Sequence, residues 1–210
     1  MTFFSNIEKL IRHKVCLCQI LGVKHQEIKF GAKLKVELDF YDKKIMQKFE
    51  IVEADLDRPE HQHAVLELTD AYARDPMGNG KPLSEKVRCD LIPGLQQHPT
   101  TVIFLAYQGH NAIGIANCFI GFSTFAARSL INISDLAVLP DYREQHIGRR
   151  LLAAVERKAR KIGCCKLTIE VQENNHRARH VYETVGFSQA VYVEEAGGAL
   201  FLSKPLNNPP

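Results

Sequence analysis

The stretch Asp141–Leu152, "DYREQHIGRRLL", decides how this chain is read. An apolar run, "LINISDLAV", leads into it as a strand. Behind it Ile147, Leu151, Leu152, Val155, Ala159 and Ile162 recur on one helical face, so a strand turns into a helix here. The first N–H groups of a helix have no partner inside it and sit at the positive end of its dipole, which makes such a turn a place for an anion. The charge is one-sided: Arg143 to Lys161 holds seven Lys/Arg against two Asp/Glu. Arg157, Lys158, Arg160 and Lys161 read as a solvated face at the helix C-terminus. Arg143, Arg149 and Arg150 stand at the turn itself and read as anion-facing. Gly163 is placed to end the helix as a left-handed cap.

Downstream, "KLTIEVQ" is a strand with Leu167, Ile169 and Val171 on one face. Asn174 or Asn175 can cap a short helix carrying Ala178, Val181, Tyr182 and Val185, which Gly186 stops before Phe187 leads into closing strands around "AVYVEE" and "ALFLSK". Upstream come a strand "FEIVEA", a helix from Pro59 to Arg74, a turn "DPMGNGKPL" and a helical stretch to about Gln97. Then "TVIFLAY", the polar turn "QGHN" and "AIGIANCFIGF" read as an antiparallel hairpin. Gly78-x-Gly80-Lys81 in the first turn is no phosphate loop, because a helix precedes it where a strand is needed; it reads as a connector that could face substrate. Residues 1–48 have their own pattern: Phe3, Ile7, Leu10, Ile11 and Val15 at helical spacing, then "KLKVELDF" alternating as a strand. This divides the chain into an N-terminal extension, 1–48, and a main domain, 49–207.

A length of 210 residues with 45% hydrophobic content is enough for a core. The longest suspicious apolar run, Val15–Val23, is nine residues and contains Gln19, too short for a bilayer span, and no small-residue cleavage site follows it. The expectation is a cytoplasmic protein with no membrane partner. Six cysteines make no C-x-x-C pair and read as free thiols. His61 and His63, two apart on a helix, point to different faces, so no metal site is expected. Of the net charge of +3, residues 1–50 hold ten Lys/Arg against six Asp/Glu, and the rest hold 17 against 18. Nothing along the whole chain signals nucleic acid, and the N-terminal lysines alternate with acids as on an exposed strand face.

Arg143-x-x-His146-x-Gly148, followed by Leu151-Leu152, resembles the Arg/Gln-x-x-Gly-x-Gly/Ala acyl-CoA signature of the GNAT superfamily of N-acetyltransferases. The segment "NHRARHVYETVGF" is similar to the ending of that family, Asn175-x-x-Ala178-x-x-x-Tyr182-x-x-x-Gly186-Phe187. The resemblance spans roughly Phe49 to Pro205 and leaves residues 1–48 unexplained. It implies an α/β (α+β) fold: a mixed central sheet flanked by helices and splayed between "NISDLAV" and "KLTIEVQ", with acetyl-CoA as co-substrate in the opening. The pantetheine arm would meet main-chain groups near Ala137, Val138 and Leu139. The pyrophosphate would sit on N–H groups from Arg143 through Gln145, His146, Ile147 and Gly148 to Arg149, and Asn175 and Tyr182 complete the cofactor contacts.

The resemblance further implies direct attack of an amine on the thioester, with Tyr182 as the acid that protonates the leaving thiolate. Glu170 sits where ribosomal-protein alanine N-acetyltransferases of that superfamily carry their base. Asp135 is the rival, and Glu194 and Glu195 could line the acceptor side. His146 stands where the family usually has glycine, which implies a turn with ordinary helical dihedrals or weakened CoA binding; the first is the expectation here. An acyl-CoA sensor without catalysis is the alternative function. A ribosome-associated role for the basic N-terminus is a third, and the identity of the amine and a homodimer are left open.

Overall fold

The computed structural model describes residues 49–189, 191–193, 197–198 and 202–204. All belong to Gln47–Pro210, one of two units into which the chain divides. The helix and strand expected within residues 1–48, and Glu194 and Glu195, lie outside the described residues.

Four strands run antiparallel in chain order: β1 (Glu50–Glu53), β2 (Thr101–Gln108), β3 (Asn111–Ser123) and β4 (Arg128–Val138). A fifth, β5 (Leu167–Ile169), lies parallel to β4 at the edge, after the crossing helix α3 (Ile147–Lys161). Alternation along β2 decides which helices cover which face. Ile103 and Leu105 meet Ala64, Val65 and Leu68 of α1 (Pro59–Arg74) and Leu95 of α2 (Glu85–Gln97). Val102, Phe104 and Ala106 face the other way, onto Leu151, Leu152 and Val155 of α3. Burying each of these large aliphatic side chains stabilises the fold by about 1.5–3 kcal/mol. The helix α4 (His176–Thr184) follows β5, and a separate ribbon pairs β6 (Val191–Val193) with β7 (Gly197–Gly198).

Local chemistry sets the helix ends. Pro59 opens α1, where a missing N–H costs nothing, and Ser84 Oγ accepts the Val87 N–H at the start of α2. Asp70, buried, accepts from Arg74 and from the Leu83 N–H and pairs with Arg88, so it ties α1 to the loop before α2 and to α2 itself. Gly163 has φ +77 just beyond α3, as the sequence suggested.

Two expectations need correction. The strand "KLTIEVQ" is only Leu167–Ile169, because β4 carries an extra residue: the register passes from Cys118↔Ile133 to Asn117↔Asp135, leaving Ser134 as a bulge. β4 bends away there, and β5 loses its partner. Of the closing strand expected at "ALFLSK", residues 199–201 lie outside the described residues and Leu202 to Lys204 are not strand; β6 pairs with Gly197 and Gly198.

Candidate active site

Where β4 and β5 part, a cleft of about 950 Å³ opens between the end of α1 and the starts of α3 and α4. Its walls come from segments far apart in sequence: the turn after α1, the second half of β4, the turn into α3, and the segment from Glu170 to Tyr182.

The turn into α3 forms one end. After a short 3-10 turn, Pro140–Tyr142, Glu144 adopts φ 63 and His146 φ 62 with ψ 11, both left-handed. The expectation that His146 keeps ordinary helical dihedrals is therefore overturned. The physical reason lies in the N–H groups: left-handed residues set just before a helical one turn successive N–H groups toward a common point, the concavity that holds anions. Among the described residues no acceptor takes the N–H of any residue from Glu144 to Arg149; the first helical bond runs from the Arg150 N–H to the His146 carbonyl, 3.1 Å. Gly148 lies in this row, and a Cβ built on it would meet nothing within 4 Å. The protein itself does not need a glycine there.

The arginines divide. Arg149 lines the cleft and has no ion-pair partner among the described residues. Arg143 Nε donates to the Val138 carbonyl at 3.0 Å, and its Nη2 pairs with Asp75 at the end of α1. Arg150 turns away and donates to the Phe49 carbonyl at 2.6 Å. Neighbouring residues on a helix point about 100° apart, so Arg149 and Arg150 cannot serve the same side. Of the three arginines read as anion-facing, Arg143 and Arg149 line the cleft, Arg143 tied to Val138 and Asp75, while Arg150 is turned to Phe49.

Other cofactor candidates also separate. Ala137, Val138, His146, Ile147 and Gly148 line the cleft. Leu139 does not: its side chain packs on the α1/α2 side of the sheet, its N–H donates to the Ile113 carbonyl and its carbonyl accepts from the Tyr142 N–H. Gln145 folds back, its Nε2 donating to the Asp141 carbonyl at 3.4 Å. Asn175 borders the cleft, but its Oδ1 caps α4 by accepting the Ala178 N–H at 3.1 Å.

The other end holds the titratable groups. Tyr182 is 8% exposed with its ring against Phe187. Burial, with Tyr72 adding to it, pushes its hydroxyl up to about 12, so it keeps its proton. Glu170 borders the cleft from an exposed position. Asp135 is mostly enclosed: burial raises its carboxyl above the ordinary range, and the Asn117 Nδ2, donating at 3.0 Å, acts against that rise. Tyr72, half-buried on α1, is also raised, first by burial and then by Asp135 and Asp75. Tyr72, Thr69 and Asn117 were not singled out from the sequence. Only Asn117 left a signal there, as the polar residue inside "AIGIANCFIGF".

Elsewhere, His61 is buried with Nδ1 accepting the Asp55 N–H, and His63 is exposed. Cys89, Cys118, Cys164 and Cys165 are free thiols. No helix among the described residues is long and apolar enough to cross a membrane.

This splayed sheet, with a row of free N–H groups at one end of its opening, defines an acyltransferase-like fold. The profile of the acetyltransferase (GNAT) family matches residues 65–187, more than half of the chain, and the protein belongs to that family. It is similar to the uncharacterized N-acetyltransferase YhfO of Bacillus subtilis (strain 168), 30% identical over 95 residues, 45% of this chain and 63% of that protein. It is also similar to thialysine N-epsilon-acetyltransferase of Bos taurus, 33% identical over 79 residues, 38% of this chain and 46% of that one. The chain thus spans less than two thirds of the length of either relative. Among solved structures, the aminoglycoside N-acetyltransferase AAC(6')-Iy in complex with CoA shares the fold, with a TM-score of 0.57 at 18% identity over 74% of this chain and 94% of that one.

Proposed function

We propose that this protein is an acetyl-CoA-dependent N-acetyltransferase acting on a primary amine. The observation that carries the reading is the row of unpartnered N–H groups from Glu144 to Arg149, with open space over Gly148, at one end of a cleft whose other end holds Asp135 and Tyr182. These residues fit the group the family implies. A pyrophosphate would be held by the N–H row and Arg149, and Ala137 and Val138, which line the cleft, would hold the pantetheine arm. When bound, acetyl-CoA supplies a thioester carbonyl open to an amine.

The chain's own residues would manage two protons. Asp135 or Glu170 takes one from the ammonium nitrogen, freeing the lone pair that forms the amide bond. Tyr182 gives its Oη proton to the sulfur that leaves with the electrons of the broken C–S bond; the attacking nitrogen gives up its second proton, through water, to the Tyr182 oxygen, and the carboxyl releases the first to solvent. Burial of Asp135 favours its neutral form, which suits a group that takes a proton. The thialysine relative is an N-epsilon-acetyltransferase, which supports an amine acceptor.

The experiment has two stages. Acetyl-CoA should raise the melting temperature, and no shift at millimolar ligand would remove the reading. Thiol release with a panel of amines then separates an enzyme from a CoA-binding sensor. Tyr182→Phe should slow turnover about a hundredfold with acetyl-CoA affinity retained; unchanged turnover would exclude the acid role.

A further inference from the structure

Asn117 is 4% exposed in the middle of β3, in a run where Ile115, Ala116 and Cys118 are fully buried. A buried amide costs stability unless its groups are bonded, and an apolar residue would serve the core better. Its Nδ2 donates to two acceptors, Thr69 Oγ1 on α1 at 3.2 Å and Asp135 Oδ2 on β4 at 3.0 Å. Its Oδ1 is buried with no hydrogen-bond partner among the described residues. The amide therefore retains a desolvation cost that its two hydrogen bonds only partly offset.

Its position explains what it achieves. Asn117 pairs with Asp135 at the edge of the Ser134 bulge, where β4 has lost its regular register. Asp135 and Thr69 border the cleft, and Asn117 stands behind them. The amide is the one hydrogen-bond donor to the Asp135 carboxyl among the described residues. Resting on the acetyl-transfer reading above, we infer that Asn117 is a positioning residue: it holds the Asp135 carboxylate toward the acceptor amine and sets the pH below which that carboxylate stops taking the amine's proton.

The surrounding groups leave this control to Asn117. From α1, Tyr72 faces Asp135 with its hydroxyl raised by burial; on β3, burial pushes the Cys118 thiol up to about 12, so both are neutral at working pH. Glu170, just beyond β5, and Arg177, His180 and Tyr182 on α4 border the cleft, and Asp75 is committed to Arg143. Burial disfavours the Asp135 carboxylate and the Asn117 amide stabilises it. Removing the amide must therefore raise the Asp135 midpoint, and the acid side of the rate profile must follow it upward.

The test combines a titration with kinetics. The Asp135 carboxyl is followed by carbon NMR in protein labelled at aspartate, with Asp135→Asn assigning its resonance, while kcat/KM for acetyl transfer is measured against pH. In Asn117→Leu both the midpoint and the acid side should move up by about one pH unit, with KM for acetyl-CoA unchanged. Thr69→Val, which frees the amide from its second acceptor without deleting it, serves if the leucine variant does not fold; it should shift both by a few tenths of a unit. A variant that loses activity or stability while midpoint and profile stay in place overturns the role of Asn117 and leaves acetyl transfer intact. Absence of transfer in the wild-type protein overturns the functional reading itself.

Discussion

His146 and Gly148 have their natural roles reversed as far as the fold is concerned. A side chain in the left-handed region costs about 1 kcal/mol, and His146 sits there at φ 62. Gly148 adopts ordinary helical geometry with nothing near a Cβ, where alanine would be better by about 0.5–1 kcal/mol. His146→Gly should therefore gain about 0.5 kcal/mol once the added freedom of the unfolded chain is deducted, and leave acetyl-CoA affinity equal or tighter. Gly148→Ala should gain a similar amount, raising the melting temperature by about 2 °C, yet weaken acetyl-CoA binding by about tenfold, because the methyl stands over the N–H row. Thermal melts and calorimetric titration of both variants check this. Equal affinity in Gly148→Ala would mean that no ligand approaches that backbone. Glu144, at φ 63, stands in the same row, so the strain belongs to the turn and not to one residue.

At the scale of elements, α4 is the weak one that carries a proposed catalytic group. A helix of nine residues is marginal by itself, and its first turn depends on Asn175 Oδ1. Asn175→Ala should cost about 1 kcal/mol and speed amide exchange in α4 ahead of α3, with kcat falling as Tyr182 loses its fixed place; protection in α4 equal to wild type would refute this. The strength of each element's own pattern decided what could be read in advance. α1 and α3 were legible because their apolar stripes and terminal signals, Pro59 and Gly163, are local. The β2–β3 hairpin was legible for the same reason. The length of β5 was not, since it depends on a bulge in β4, a property of pairing with β3 that no single segment records. The site divides along the same line. The N–H row was legible as a helix start, whereas the commitments of Arg143 to Asp75 and of Asp135 to Asn117 join residues 68 and 18 positions apart.

Across the described domain, the helical layer α1/α2 meets the sheet beside the cleft through the Asp75–Arg143 pair and the Thr69–Asn117 hydrogen bond, so the site's shape depends on how firmly the layers are joined. The Asp75–Arg143 pair is the stronger candidate for a measurable contribution, with side chains only 15% and 28% exposed. Burial tends to raise the Asp75 carboxyl, but the Met77 N–H and the Arg143 guanidinium outweigh it and leave the group below its ordinary value of 3.8. A carboxyl lowered in the folded state adds stability that is fully present above the ordinary value and is lost as pH falls through the lowered one. Asp75→Asn should therefore cost about 1 kcal/mol at pH 7, and the difference from wild type should shrink as the pH is taken below about 4. Arg143→Met should cost more, about 2 kcal/mol, because it leaves both the Asp75 carboxylate and the Val138 carbonyl without their donor. Urea denaturation of the two single variants and the double variant at neutral and acid pH gives the coupling directly. A coupling of about 1 kcal/mol that fades in acid is the expected result, and one that is zero at pH 7 would mean the pair contributes nothing to joining α1 to the cleft.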